Sequence, residues 1–251
     1  MKTPLVMLHG WGVNSLIWQP VRAQLESSFD LTMLDLPGYG SRIDYRGDYK
    51  LASVVADVLD RAPARAIWIG WSLGGTIALA AALDHPERFS KLQLLSATPC
   101  FLLRDHWSFG IEVEPFEKLA VQFDQNYQKA LKKFLLLQAN TGDRSRITAT
   151  KSLVRELSDL MLTVPAPNQT TLQGGLNILR EVDLRSRLNE LVVQSQVVAG
   201  IHDRVVPLSA SKYLSDQIPD CRNICPLDAG HLPFIEARSE YVRLLSSFAN
   251  T

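Results

Sequence analysis

Short aliphatic runs alternate along this chain with segments of helical spacing, and that alternation restricts the fold more than any other feature. The runs are Leu5–His9, Leu31–Asp35, Ala66–Gly70 and Leu92–Ser96, then, after a long interruption, Gln194–Gly200 and Asn223–Pro226. Most are apolar nearly throughout, as strands must be when helices cover both faces of their sheet; Gln194 and Gln196 make the fifth the least regular. Between the runs, Ser15–Ser27, Leu51–Arg61, Leu73–Asp84, Ser209–Gln217 and Pro233–Phe248 repeat apolar residues at three and four positions. The succession predicts an α/β fold, a mostly parallel sheet with helices on both faces.

The interruption, residues 100–190, loses the alternation and reads as several helices, with Pro165-Ala166-Pro167 and Gly174-Gly175 as breakers. It predicts a helical cap inserted into a core formed by residues 1–99 and 191–251. Its clearest helix sets Phe116, Leu119, Ala120, Phe123, Tyr127, Ala130, Leu131 and Phe134 on one stripe. Lys129, Lys132 and Lys133 lie on the other side.

The candidate chemistry begins at Gly70-Trp71-Ser72-Leu73-Gly74, a G-x-S-x-G sequence at a strand-to-helix junction. A lone match of this kind is weak, and its position between strand and helix gives it meaning. A sharp turn there exposes the Ser72 hydroxyl. Serine is a poor nucleophile until an imidazole takes its proton and a carboxylate orients that imidazole. Asp203, after the fifth run, and His231, after the sixth, supply both in the chain order Ser, Asp, His. Each follows a strand's carboxyl end, the edge where open parallel sheets assemble sites. Asp203 also reads as a helix cap, and Asp183 and Asp228 are alternatives, but Asp183 precedes the strand and Asp228 is close in sequence to His231. His9-Gly10-Trp11-Gly12 after the first run provides a loop for an oxyanion hole, with the Trp11 and Leu73 amides as donors. His9 reads as a structural hydrogen bonder beneath that loop, His85 as a helix end, and His106 and His202 as surface residues.

Composition removes other classes. The 251 residues are 46% hydrophobic and carry 26 basic and 26 acidic side chains, so no net charge draws the chain to nucleic acid or to a membrane surface. The run Leu5–Leu8 is too brief for a signal-peptide core, and no later stretch reaches membrane-spanning length. A cytoplasmic monomer is expected, with Cys100, Cys221 and Cys225 reduced. No metal-ligand spacing and no glycine-rich phosphate loop occurs, so neither metal nor cofactor is expected.

The motifs resemble the BioH family, the carboxylesterases of biotin synthesis that hydrolyse the methyl ester of pimeloyl-acyl carrier protein. His9-Gly10-Trp11-Gly12, Asp35-Leu36-Pro37-Gly38, the stretch Ala66 to Gly75 and His85-Pro86-Glu87-Arg88 are similar to that family's core. Phe134-Leu135-Leu136-Leu137-Gln138, Pro165-Ala166-Pro167 and Gly174 to Leu179 are similar to its cap. The resemblance implies that Trp11, Ser72, Leu73, His231 and Phe134, Leu135, Leu136, Leu137 and Gln138 contact substrate. It also implies an acyl carrier protein as partner. Lys129, Lys133, Arg144 and Arg146, in a segment whose only acid is Asp143, are the candidate docking cations, against the alternative of a solvated helix face. Two departures stand out: the family carries a β-hairpin before its first parallel strand, so an uncovered sheet edge is expected here, and Pro37 to Arg42 differs after its second glycine. A general short-chain carboxylesterase or thioesterase, a C–C hydrolase or acyltransferase, and a non-catalytic binding protein of the same fold are the competing readings.

Overall fold

A computed structural model describes residues 2–139 and 141–251. The core strands are β1 (Thr3–Leu8), β2 (Phe29–Leu34), β3 (Ala66–Trp71), β4 (Phe89–Leu95), β5 (Ser195–Gly200) and β6 (Cys221–Leu227). They form one parallel sheet in the order β2-β1-β3-β4-β5-β6. Every residue of β3 and of β5 is buried, which is why these segments read as near-continuous apolar runs. Gln93 and Gln196, paired in register on β4 and β5, are buried as well, and their amides satisfy one another (Nε2 to Oε1, 2.7 Å). β2 forms one edge, with Asp30 exposed and Leu31, Thr32 and Met33 half-buried.

The core helices are α1 (Gln19–Leu25), α2 (Leu51–Arg61) and α3 (Leu73–Asp84), and later α8 (Leu208–Gln217), α9 (Pro233–Glu236) and α10 (Arg238–Ala249). α3 is buried from Leu73 to Ala82, and its small residues let it lie close against the sheet. The expected helix Pro233–Phe248 is interrupted at Ala237, whose backbone leaves helical geometry (φ −114°, ψ 43°). Likewise Ser15–Ser27 begins as a 3₁₀ turn over Ser15–Trp18 before α1.

Between β4 and β5 lies an insertion whose described residues form the α-helices α4 (Glu114–Gln125), α5 (Tyr127–Gln138), α6 (Ile147–Met161) and α7 (Gln169–Glu181). The single long helix expected across Phe116 to Phe134 is two helices. Asn126 takes extended geometry (φ −159°, ψ 91°) and its side chain accepts from the Lys129 amide, capping α5 where α4 ends. The stripe survives the break, since Phe116, Leu119, Phe123, Ala130, Leu131 and Phe134 are all buried. Gly174 and Gly175, expected as breakers, sit inside α7. They are there for contact: a Cβ at Gly174 would come within 2.6 Å of the Tyr49 ring, and one at Gly175 within 2.6 Å of Trp11 Cδ1.

Candidate active site

Ser72 stands at the junction of β3 and α3 with φ 54° and ψ −119°, a conformation L-residues rarely adopt. The turn is possible because its neighbours lack side chains. A Cβ at Gly70 would lie 2.4 Å from the Gly74 carbonyl oxygen, and one at Gly74 would lie 2.4 Å from that of Leu8. The loop after β1 passes directly against this turn, and a Cβ at Gly10 would lie 3.3 Å from Ser72 Cβ.

His231 follows β6 and is fully buried. Its Nδ1 lies 2.7 Å from Asp203 Oδ2; the carboxylate accepts, so Nδ1 carries the proton and Nε2 is left as the acceptor. Asp203 Oδ1 takes the Val205 and Val206 amides, both at 2.8 Å, so one oxygen caps a turn while the other holds the imidazole. His231 Nε2 is buried with no hydrogen-bond partner. The competing acids are elsewhere: Asp183 pairs with Arg185, and the exposed Asp228 pairs with Arg146 and His202.

The backbone of His231 is held on both sides. Its N–H donates to the Gln138 carbonyl at 2.8 Å, and its carbonyl accepts from Trp71 Nε1 at 2.8 Å. Glu236 Oε1 receives the flanking Gly230 and Leu232 amides at 3.1 and 3.2 Å. Burial raises the Glu236 carboxyl above the usual carboxylate range, against the pull of those two amides. Sequence reasoning missed Glu236 and Trp71. The available signal for Glu236 was an acidic residue in the first turn of the helix after His231, facing amides that a helix start leaves unpaired.

Among the described residues, no hydrogen bond uses the Trp11 or Leu73 amide. The Trp11 indole donates to the Leu172 carbonyl at 2.8 Å and meets Phe123 and Phe134 edge-on at 5.1 and 5.5 Å. His9 lies beneath the loop, its Nδ1 donating to the Gly10 carbonyl (2.8 Å) and its Nε2 accepting from the Leu36 amide (2.9 Å). Burial pushes the His9 imidazole below its ordinary value, although Asp35 pulls the other way.

Phe134, Leu135 and Gln138 are buried on the core side of α5. Leu136 and Leu137 are 41% and 44% exposed and face away from that side, so the structure does not bring these two expected substrate contacts to the site. Lys129, Lys132 and Lys133 are exposed, with Lys133 Nζ donating to Gln122 Oε1 at 2.9 Å. Arg144 is exposed, whereas Arg146 spans to Asp228 (2.5 Å) and Asp143 (3.4 Å), so it ties the insertion to the loop preceding His231. Among the described residues no group of His, Cys, Asp and Glu could hold a metal ion, and no helix is long and apolar enough to cross a membrane. A cavity of about 750 Å³ opens between α2 and α7, lined by Tyr49, Lys50, Gln173 and Asn177 among others, and neither Ser72 nor His231 borders it.

Comparison with known proteins agrees with this geometry. The α/β-hydrolase fold family matches residues 3–238. A pimeloyl-[acyl-carrier protein] methyl ester esterase of Pectobacterium carotovorum is 37% identical over 248 residues, covering 99% of this chain and 94% of the relative. The esterase of the same name from Klebsiella pneumoniae is 38% identical over 231 residues, covering 92% and 87%. Among solved structures, an esterase from Exiguobacterium antarcticum superposes with a TM-score of 0.85 at 25% identity, over 100% of this chain and 92% of that one. An enol-lactonase from Burkholderia xenovorans shares the fold at TM-score 0.85 and 20% identity, over 100% and 92%. With its expected strand-turn-helix serine, its parallel sheet and relatives matched over nearly its whole length, the chain belongs to the α/β-hydrolase fold family and, within it, to the pimeloyl-[acyl-carrier protein] methyl ester esterases.

Proposed function

We propose that this esterase hydrolyses the methyl ester of a pimeloyl group held on an acyl carrier protein, releasing methanol and leaving the carrier thioester intact. The relatives' names supply the substrate. One observation carries the chemistry: the buried His231–Asp203 pair, 2.7 Å long, leaves Nε2 without a partner at the sheet edge that bears the strained Ser72.

Ser72 Oγ attacks the ester carbonyl while His231 Nε2 takes its proton. The carbonyl oxygen gains the electron pair, and the unpaired amides of Trp11 and Leu73 receive it. Collapse expels methoxide, which leaves as methanol with the proton from His231, and the acyl group remains on Ser72. Water, deprotonated by the same nitrogen, attacks that acyl-enzyme; the second collapse returns Ser72 and frees the carboxylic acid. Asp203 holds the imidazole and balances its charge without taking the proton.

The α4–α7 insertion acts as a cap, since Phe123, Phe134 and Leu172 cover Trp11 while Ser72 and His231 are 8% and 0% exposed. Phe134 and Gln138 are the insertion residues that contact the acyl chain. Lys129, Lys133 and Arg144 present exposed positive charge to an acidic carrier. Selectivity for the distal ester is positional: only the far end of the acyl chain reaches Ser72.

A serine-directed phosphonate tests the chemistry. Ser72 is the expected adduct site, and Ser72→Ala and His231→Ala are expected to abolish both labelling and turnover. Hydrolysis by purified Ser72→Ala would overturn the assignment.

A further inference from the structure

We infer that Tyr127 is a positioning residue for the oxyanion loop, acting through the backbone of Gly12; the inference rests on the reading of the Trp11 and Leu73 amides as oxyanion donors. Gly12 follows Trp11 and has φ +77°, so the chain turns sharply just after the proposed donor. Two phenols bracket that turn. The Gly12 N–H donates to Tyr39 Oη at 3.3 Å, and the Gly12 carbonyl accepts from Tyr127 Oη at 3.2 Å. Tyr39 belongs to the core loop after β2, whereas Tyr127 is the first residue of α5 in the insertion. Burial raises both phenols above their ordinary ionisation range, which favours the neutral form that donates.

The same helix reaches the other half of the machinery. Phe134 lies seven residues beyond Tyr127 and packs on the Trp11 indole; Gln138 lies eleven beyond, and its carbonyl takes the His231 amide at 2.8 Å. At about 1.5 Å per residue, Tyr127 and Gln138 stand roughly 16 Å apart along one face of α5, and that face touches the oxyanion loop at one end and the His231 backbone at the other. Its opposite face carries the exposed Lys129, Lys132 and Lys133. One rigid element thus sets the separation between the groups that stabilise the oxyanion and the group that moves the proton. Tyr127 supplies the hydroxyl that ties the loop to that element.

Tyr127→Phe removes one oxygen and keeps the ring against Phe123, whose centroid is 5.5 Å away. On a small p-nitrophenyl ester, kcat is expected to fall about three- to tenfold, the cost of one positioning hydrogen bond, with KM within about twofold and Tm unchanged. The affinity of a trifluoromethyl ketone, whose adduct carries the oxyanion, should fall by the same factor, because the defect lies where that charge develops. Gln128→Ala, on the exposed side of α5, should change none of these. An unchanged kcat would overturn the inference, and so would a lower kcat without loss of ketone affinity. Ser72→Ala assayed alongside separates the two readings: if it is inactive while Tyr127→Phe behaves as wild type, only the role of Tyr127 falls, and if it turns over, the active-site reading falls with it.

Discussion

The amide of His231 donates to the carbonyl of Gln138 at 2.8 Å, so the imidazole that would move the proton hangs from the end of an inserted helix and not from the core alone. Glu236 completes the hold by taking the amides on either side. Glu236→Ala strands both donors in a buried place. It is expected to lower unfolding free energy by about 1–3 kcal/mol and to reduce kcat several-fold, read by urea denaturation and ester turnover. Wild-type stability and kcat in this variant would mean the loop is fixed without it.

Ser72 holds φ 54°, a strained conformation for a residue with a side chain. Glycine tolerates φ 54° without cost, so Ser72→Gly should be inactive yet more stable than wild type by about 1 kcal/mol. Equilibrium urea unfolding of the two proteins measures the difference. A less stable glycine variant would indicate that packing around the hydroxyl outweighs backbone strain.

Much of this site was legible in the sequence because strand periodicity and chain order locate it. Ser72, Asp203, His231 and the loop at Trp11 each follow a strand, and a parallel sheet brings strand ends together whatever their separation in sequence. What was not legible depends on close approach between distant segments. The break at Asn126 hides in an unbroken apolar stripe, because α4 and α5 both turn that stripe inward. Gly174 and Gly175 look like breakers until Tyr49 and Trp11 are seen to occupy the space beside them. Leu136 and Leu137 share a motif with Phe134 and Gln138, but a helix sends adjacent residues to different faces.

His9 makes stability sensitive to acid. Its Nε2 accepts from the Leu36 amide, so a proton there would set donor against donor, and burial opposes the charge as well. The folded imidazole therefore binds a proton less readily than the unfolded one. Its contribution is full above the unfolded value of 6.5 and is lost as pH falls from there through the lowered folded value. Urea midpoints measured between about pH 7.5 and 5.5 should decline, and the decline should be smaller in His9→Asn, which cannot charge. Equal slopes would assign the acid sensitivity to other groups.

The exposed cations of the insertion divide into two kinds. Lys129 and Lys133 face solvent, so Lys129→Glu with Lys133→Glu should raise KM for a carrier-linked ester, weaken its salt dependence and leave a small ester unaffected. Arg146 is paired with Asp228 beside the His231 loop, so Arg146→Glu should slow both substrates. Steady-state kinetics at two ionic strengths distinguishes them. Identical behaviour of the lysine and arginine variants would refute the division.

Intact-mass measurement of a pimeloyl-acyl carrier protein methyl ester incubated with the enzyme decides whether the distal ester is the substrate. A carrier lighter by one methylene, one equivalent of methanol and an undiminished thioester are expected, and Ser72→Ala should give neither the mass loss nor the methanol. Release of the bare carrier thiol, or an ester left untouched while small esters are cleaved, would contradict the distal ester as substrate.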